Sequence, residues 1–205
     1  MEQGSQEWLL ARCGMVTASR VADVVAKLKN GKPGASRATY MGQLIAERLS
    51  GEPAASFSSA AMQWGTETEP MARGAYEWVT GFTVEEVGFI HHPSIDMAGM
   101  SPDGLVGDVG LVEIKCPNTS THIDTLLGAK APAKYIDQMQ WQMACSGLQW
   151  CDFVSFDPRM PQHMNMFQVR VNRDDERIAF LESEVIEFIA EMDSKIEELN
   201  SKYRA

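Results

Sequence analysis

The stretch that decides the fold is Ser101-Pro102-Asp103-Gly104-Leu105, followed shortly by Leu111-Val112-Glu113-Ile114-Lys115-Cys116-Pro117. Because side chains alternate along a strand, the second segment sends Glu113 and Lys115 to one face and buries the apolar residues beside them on the other. Asp103 lies in a Pro-Gly turn that leads into the preceding strand. The pattern predicts two carboxylates and an ammonium group gathered at one edge of a sheet.

These three polar groups have two explanations. Carboxylate oxygens are the ligands that Mg²⁺ and Mn²⁺ prefer, and such ions keep waters that a phosphate substrate can displace. An ion at Asp103 and Glu113 would polarise a phosphoryl oxygen and generate hydroxide, while Lys115 would orient that nucleophile and offset developing charge. The alternative is a turn aspartate beside a Glu/Lys ion pair, and the motif alone does not separate the two.

Polar residues on two predicted helices supply further context. A helix over residues 67–80 precedes the motif and carries Glu69, with acidic residues and Pro70 in its first turn. A later helix carries Gln138 and Gln140, whose amides can hold waters or a phosphate. Both helices bring side chains that suit a metal-dependent phosphate chemistry.

The remaining pattern predicts an α/β fold with a central mixed sheet flanked by helices, in a single domain over residues 1–205. Spacing of apolar residues and turn residues predicts helices and strands in a mixed order. The predicted helices are 17–25, 37–49, 67–80, 121–127, 133–145 and one closing helix that begins within 172–176. The predicted strands are 82–87, 88–92, 104–106, 111–115, 151–156 and 166–171.

Composition excludes several classes of protein. The 205 residues carry a net charge of −10, which argues against a protein that merely coats DNA. Residues 1–50 are locally basic, and one interpretation is that they form a groove that binds a polyanion beside an acidic site. No apolar run reaches the roughly 18 residues of a membrane helix, and the acidic start is unlike a signal peptide. The four cysteines form no CxxC pair, so we expect a cytoplasmic protein without disulfides or zinc.

The string SPDGL…GLVEIKCP resembles the phage lambda exonuclease group of the PD-(D/E)xK nucleases, also called YqaJ-like recombinases. The resemblance covers nearly the whole chain in the family's order, and it implies a restriction-endonuclease-like core. The further matching segments are Trp8-x-x-x-Arg12-x-Gly14-x-x-Thr17-Ala18-Ser19, Trp64-Gly65-x-x-x-Glu69, Tyr135-x-x-Gln138-x-Gln140 and Asp157-Pro158-Arg159-Met160.

The resemblance also implies roles for individual residues. It assigns metal binding to Asp103, Glu113, Glu69 and the backbone carbonyl of Ile114, with Lys115 as the catalytic lysine and Gln138 beside the metal. It assigns 5′-phosphate binding to Arg12, Thr17 and Ser19, which suits a guanidinium and hydroxyls near a helix start. Met62 matches an apolar wedge between terminal base pairs. Lys29 matches a DNA-contacting loop position where arginine is more usual, and a lysine there lacks the forked hydrogen bonding of arginine.

The activity that the resemblance implies is a Mg²⁺-dependent 5′-to-3′ exonuclease on linear double-stranded DNA. Two ions per site are expected, and Mn²⁺ is expected to replace Mg²⁺. The expected products are mononucleotides and a 3′ overhang for recombination. Two other hypotheses stay open: an endonuclease or junction resolvase with the same fold, and a non-catalytic module that binds DNA ends. The segment with Arg12, Thr17 and Ser19 separates the first hypothesis from the second.

The expected partners also come from the resemblance. It implies a homotrimeric ring that encloses duplex DNA and a single-strand-annealing protein that receives the overhang. Such a ring would confine DNA topologically, which eases the conflict between a negative net charge and a polyanionic substrate. We also expect the protein to be encoded by a phage or prophage and to act in the host cytoplasm without membrane contact.

Overall fold

The computed structural model describes residues 1–54 and 59–203, which contain both helices and strands. The helices are α1 (Gln6–Ala11), α2 (Val21–Val24), α3 (Ala35–Ser50), α4 (Ala60–Thr80), α5 (Thr119–Gly128), α6 (Ala133–Ser146) and α7 (Asp175–Tyr203). The strands are β1 (Val16–Thr17), β2 (Val84–Glu85), β3 (Ile90–His91), β4 (Ala98–Met100), β5 (Gly104–Val106), β6 (Gly110–Lys115), β7 (Trp150–Phe156) and β8 (Met166–Asn172). Residues 55–58, which lie outside the described residues, fall between the predicted helices 37–49 and 67–80.

The strands form two sheets. The larger one has the order β2-β5-β6-β7-β8, in which β6 and β7 run parallel and the other neighbours run antiparallel. The smaller one has the order β1-β4-β3. Helix α6 packs on the face of the large sheet that also contacts α7, and α4 packs on the opposite face. The predicted α/β class with a mixed, helix-flanked sheet is confirmed.

Strand β6 is buried on both faces, as expected for a strand inside a covered sheet. Leu111 belongs to the larger core, which contains residues of α6 and α7. Val112 and Ile114 belong to the smaller core under α4. Since alternate residues share a face, Glu113 and Lys115 lie on the α6 side of the sheet. The predicted alternation is therefore observed, and it leaves Glu113 without any exposed surface.

Helix α4 begins at Ala60, about two turns earlier than the sequence pattern predicts. The Ser59 hydroxyl accepts the backbone N–H of Met62 at 3.2 Å and caps the helix there. Pro70 is therefore in the helix interior rather than in the first turn. Such a proline costs about 3 kcal/mol, and the buried Ala72 and Tyr76, which follow it, offset that cost through packing.

The N-terminal segment and β4 also differ from expectation. Where one capped helix was predicted from Thr17, the chain forms β1, a short 3₁₀ turn and α2, and the Thr17 side chain makes no capping hydrogen bond. Strand β4 was not predicted because Ala98-Gly99-Met100 has low β-propensity. Gly99 is required at that place, since a Cβ would lie 2.5 Å from the carbonyl oxygen of Ile90.

The closing helix carries the predicted apolar stripe. Its buried members are Ile178, Leu181, Val185, Phe188 and Met192, all in the larger core. In the described part of the chain, no helix has both the length and the apolar composition that a bilayer crossing requires.

Candidate active site

Asp103 and Glu113 meet where β5 pairs with β6. Gly104 lies opposite Val112 in this antiparallel pair, which brings the turn before β5 alongside the end of β6. The backbone N–H of Ile114 donates to Oδ2 of Asp103 at 2.6 Å. The turn aspartate is therefore fixed against the strand that carries Glu113 and Lys115.

Glu113 is held by three donors on the α6 side of the sheet. The amide nitrogen of Gln138 donates to its Oε1 at 2.6 Å, and that of Gln142 donates to its Oε2 at 2.6 Å. The ammonium group of Lys115 contacts Oε1 as well. A fully buried carboxylate needs such partners, because desolvation without them is costly.

The charged groups at this edge of the sheet shift one another's pKa values. Burial, and then the nearby Glu113 carboxylate, raise the pKa of Asp103 well above its usual value, while Lys115 acts in the opposite direction. Burial alone would lower the pKa of Lys115, but Glu113 and Asp103 outweigh it and raise that pKa. Negative charge here therefore exceeds what the one ammonium group balances.

Glu69 approaches the same site from α4. Burial raises its pKa, and Arg73, whose Nη2 lies 2.8 Å from Oε1 of Glu69, acts against that rise. Glu113 and Lys115 also influence the Glu69 pKa, which places all of these groups within electrostatic reach of one another. The structure thus places Asp103, Glu113, Lys115 and Glu69 within electrostatic reach of one another, although they come from two elements and one turn.

The donor set fits a hard divalent cation in chemistry. Its oxygens come from carboxylates that repel one another. The pKa values of Asp103 and Glu69 are raised, and a bound cation would lower them. Among the described residues, however, no three His, Cys, Asp or Glu side chains converge as a ready-made metal cluster. In this structure the two oxygens of Glu113 are occupied by Lys115 and two glutamines.

Gln142 is a site residue that the sequence reasoning missed. It lies one helical turn after Gln138, and this spacing puts both amides on one face of α6. Gln140 faces elsewhere: its side chain bonds the carbonyl of Asn172 at 2.9 Å and the N–H of Asp174 at 2.9 Å. The expectation that Gln140 serves the site is therefore wrong. The i,i+4 spacing from Gln138 is the sequence signal that identifies Gln142 instead.

Arg12, Thr17 and Ser19 line one cavity of about 660 Å³ between α1, α3 and the turn after β1. The Thr17 hydroxyl lies 3.5 Å from that of Ser19, and the Thr17 N–H donates to the Tyr40 hydroxyl at 3.1 Å. Arg20 lines the same cavity but is paired with Asp23 at 2.5 Å. The three residues that were predicted to share a pocket do so.

Arg12 is the cation in this cavity that lacks a carboxylate ion pair within the described residues. Its guanidinium lies 4.0 Å from the ring centroid of Trp8, and burial lowers its pKa. Met62 also lines the cavity, with 58% of its surface exposed. Lys29 is exposed in the turn between Lys27 and Pro33 and does not line the cavity.

Asp157 and Arg159 connect α4 to the end of the large sheet. Asp157 accepts from Arg159 Nε at 2.7 Å and from the Thr119 hydroxyl at 2.6 Å. The Arg159 guanidinium also donates to the carbonyl of Pro117 at 3.2 Å and lies 4.5 Å from the ring centroid of Trp64. These contacts hold the start of α4 beside the strand ends that carry the carboxylates.

The Asp157 interactions predict a specific loss of stability in acid. Burial acts to raise the pKa of Asp157, but Arg159 and Thr119 outweigh it and lower that pKa from 3.8 to about 2. Because the folded pKa is depressed, the stabilisation is complete above 3.8 and declines as pH falls toward 2. We expect Asp157→Asn to be less stable than the unmodified chain at pH 7, with the difference shrinking below pH 4. Urea unfolding across this range measures it; the exposed Asp108→Asn is the control, and a pH-independent difference would contradict the assignment.

The sequence profile of the YqaJ-like viral recombinase domain matches residues 7–149, which include every residue to which the family resemblance assigns a role. The chain belongs to the YqaJ-like viral recombinase family. The family resemblance read from the sequence is thereby confirmed. Among curated proteins, no relative of this YqaJ-like chain was found.

Solved structures resemble this YqaJ-like chain over nearly its whole length. The alkaline exonuclease LHK-Exo from Laribacter hongkongensis is 55% identical, with a TM-score of 0.90 and 97% of each chain covered. LHK-Exo in complex with dAMP gives a TM-score of 0.91 at the same identity and coverage. A phage-related exonuclease from Haemophilus somnus 129PT is 19% identical with a TM-score of 0.73, covering 90% of this chain and 96% of its own. This last likeness shows the shared fold.

Proposed function

We propose that this protein is a DNA exonuclease that uses Mg²⁺ to degrade linear duplex DNA from a 5′-phosphorylated end. The observation that carries the proposal is the buried Glu113 with the half-buried Asp103 and Lys115 beside it, in a chain 55% identical to an alkaline exonuclease over 97% of its length. Mn²⁺ would replace Mg²⁺, since both ions prefer carboxylate oxygens.

In the proposed reaction, Asp103, Glu113, Glu69 and the carbonyl of Ile114 would hold two divalent ions. When bound, these ions would polarise the phosphoryl oxygen and favour ionisation of the attacking water. Lys115, released from Glu113, would orient that water and stabilise the charge that develops on the phosphate. Gln138 keeps Glu113 oriented through its 2.6 Å hydrogen bond.

The cavity beside α1 supports the proposed strand polarity. Arg12 would bind the terminal 5′-phosphate, because a guanidinium grips phosphate with two parallel hydrogen bonds. Thr17 and Ser19 would add hydroxyl donors from the same wall. Met62, an exposed residue that lines the cavity, would part the terminal base pairs, and Lys29 would contact the duplex backbone.

The products and partners follow from the same proposal. Digestion would release mononucleotides and leave a 3′ overhang for a single-strand-annealing protein. A homotrimeric ring around DNA would offset the net charge of −10, because enclosure holds a substrate that the overall charge repels. Light scattering of the purified protein tests the trimer, and the expected site of action is the cytoplasm of a phage-infected or prophage-carrying host.

The deciding experiment digests a linear duplex that is labelled at either the 5′ or the 3′ end. We expect release of 5′-terminal mononucleotides with Mg²⁺, little release in EDTA, and faster digestion from 5′-phosphate than from 5′-hydroxyl ends. Equal cutting of circular DNA would favour the endonuclease or junction-resolvase hypothesis. Binding to ends without any digestion would favour the non-catalytic module.

Arg12→Ala is expected to remove most of the preference for phosphorylated ends. One hydrogen-bonded charge pair with phosphate is lost, so the kcat/KM ratio of 5′-phosphate to 5′-hydroxyl duplexes should fall roughly tenfold. Arg177→Ala is a matched control, since Arg177 pairs with Asp137 away from the cavity. An unchanged ratio in Arg12→Ala would exclude this cavity as the phosphate site.

A further inference from the structure

A tryptophan connects the cavity to the turn that carries Asp103. The indole N–H of Trp8, on α1, donates to the hydroxyl of Ser101 at 2.8 Å. Ser101 lies two residues before Asp103, and only the rigid Pro102 separates them. The amide of Gln3 also donates to the carbonyl of Pro102 at 2.7 Å. The N-terminal segment is therefore attached by two hydrogen bonds to the turn that carries Asp103, which we call the catalytic turn.

The same indole ring faces the cavity. Arg12 lies four residues after Trp8, which places both side chains on one face of the helical segment. The Arg12 guanidinium lies 4.0 Å from the Trp8 ring centroid, and both residues line the cavity. A continuous chain of contacts thus runs from Arg12 through Trp8 to Ser101.

Helix α1 is suited to transmit a change between the two places. It has six residues, none of them buried, so packing alone does not fix its position. The contacts of Trp8 and Gln3 tie it to the catalytic turn instead. An anion that binds Arg12 would restrain Trp8 through the ring that Arg12 covers, and this restraint would reach Ser101 and the turn.

We propose that Trp8 is a positioning residue that couples a terminal 5′-phosphate on Arg12 to the placement of Asp103. This inference rests on the proposed function, because it presumes a phosphorylated DNA end in the cavity. It adds to that function a specific consequence: the terminal phosphate accelerates the chemical step as well as strengthening binding. The N–H···O bond between Trp8 and Ser101 is the link that carries the effect.

Trp8→Phe tests the link, since phenylalanine keeps an aromatic face for Arg12 but lacks the indole N–H. The kcat ratio of 5′-phosphate to 5′-hydroxyl duplexes should fall between about twofold and tenfold, as for the loss of one hydrogen bond. KM for the phosphorylated duplex should stay within about twofold. In EDTA, fluorescence anisotropy should give the variant and the unmodified protein the same affinity for a phosphorylated end.

Ser101→Ala removes the other partner of the bond without changing the ring, so it guards against a packing defect in Trp8→Phe. It should lower the kcat ratio by the same factor, and the double variant should be no worse than either single one. Trp78→Phe is the matched control, because Trp78 is 89% exposed on α4 and lies outside this chain of contacts.

Three results would overturn the inference: an unchanged kcat ratio in Trp8→Phe, an effect on KM alone, or additive losses in the double variant. Additive losses would mean that Trp8 and Ser101 act separately. If the unmodified protein itself does not distinguish phosphorylated from hydroxyl ends, the proposed function fails and the inference falls with it. A kcat preference that the unmodified protein shows and that is undiminished in Trp8→Phe rejects the inference alone.

Discussion

Asp103→Asn is expected to lower the rate of DNA digestion at saturating Mg²⁺ by about a thousandfold or more. The substitution keeps an oxygen that can accept the N–H of Ile114, so the turn can stay in place. It removes the negative charge that would hold a divalent cation at the transferring phosphate. Losses of this size are typical when an electrostatic partner of the transition state is removed.

Thermal unfolding separates this loss from a loss of fold. Because burial and Glu113 raise the pKa of Asp103, its ionised form disfavours the folded state at neutral pH. Asp103→Asn should therefore unfold in EDTA at the same or a higher temperature than the unmodified chain. Added Mg²⁺ should stabilise the unmodified chain and stabilise the variant much less.

Asp108→Asn, in the exposed turn between β5 and β6, is the matched control and should digest DNA normally. If Asp103→Asn kept full activity and folded normally, Asp103 could not be a metal ligand. The turn aspartate would then be a structural group beside a Glu/Lys ion pair, which is the alternative that the motif alone leaves open.

The meeting of Asp103, Glu113 and Lys115 at one edge of the sheet was predictable from sequence because it depends on local rules. Alternation along residues 111–115 fixed which side chains share a face, and the turn at Pro102 placed Asp103 beside them. The cavity around Arg12 was predictable only through the family resemblance. Nothing in the local pattern indicates that α1 and the turn after β1 would face each other.

The features that were missed depend on tertiary packing. Pro70 reads as a helix start, yet Ser59 caps α4 earlier and the buried face beyond Pro70 holds the longer helix together. Strand β4 exists because its neighbours supply backbone partners, which its own residues do not indicate. Gln140 resembles a site residue by motif, but the rotation of α6 directs Gln142 to Glu113 instead.

Gln142→Leu is expected to raise the Mg²⁺ concentration needed for half-maximal digestion by about ten- to a hundredfold. Leucine has nearly the same side-chain volume as glutamine but lacks the donor to Oε2 of Glu113, so that oxygen is left unpaired inside the protein. A carboxylate that loses its orienting hydrogen bond holds a cation less well, and effects of this size are usual for such partners.

Gln140→Leu is a close control for this variant, since it lies on the same helix, is 2% exposed and also loses a buried hydrogen bond. Both variants should lose stability, because each leaves a buried backbone or side-chain group unpaired. Only Gln142→Leu should shift the Mg²⁺ titration of activity. Equal shifts in the two variants would mean that general loosening of α6, rather than the orientation of Glu113, controls cation affinity, and Gln142 would then have no specific part in the site.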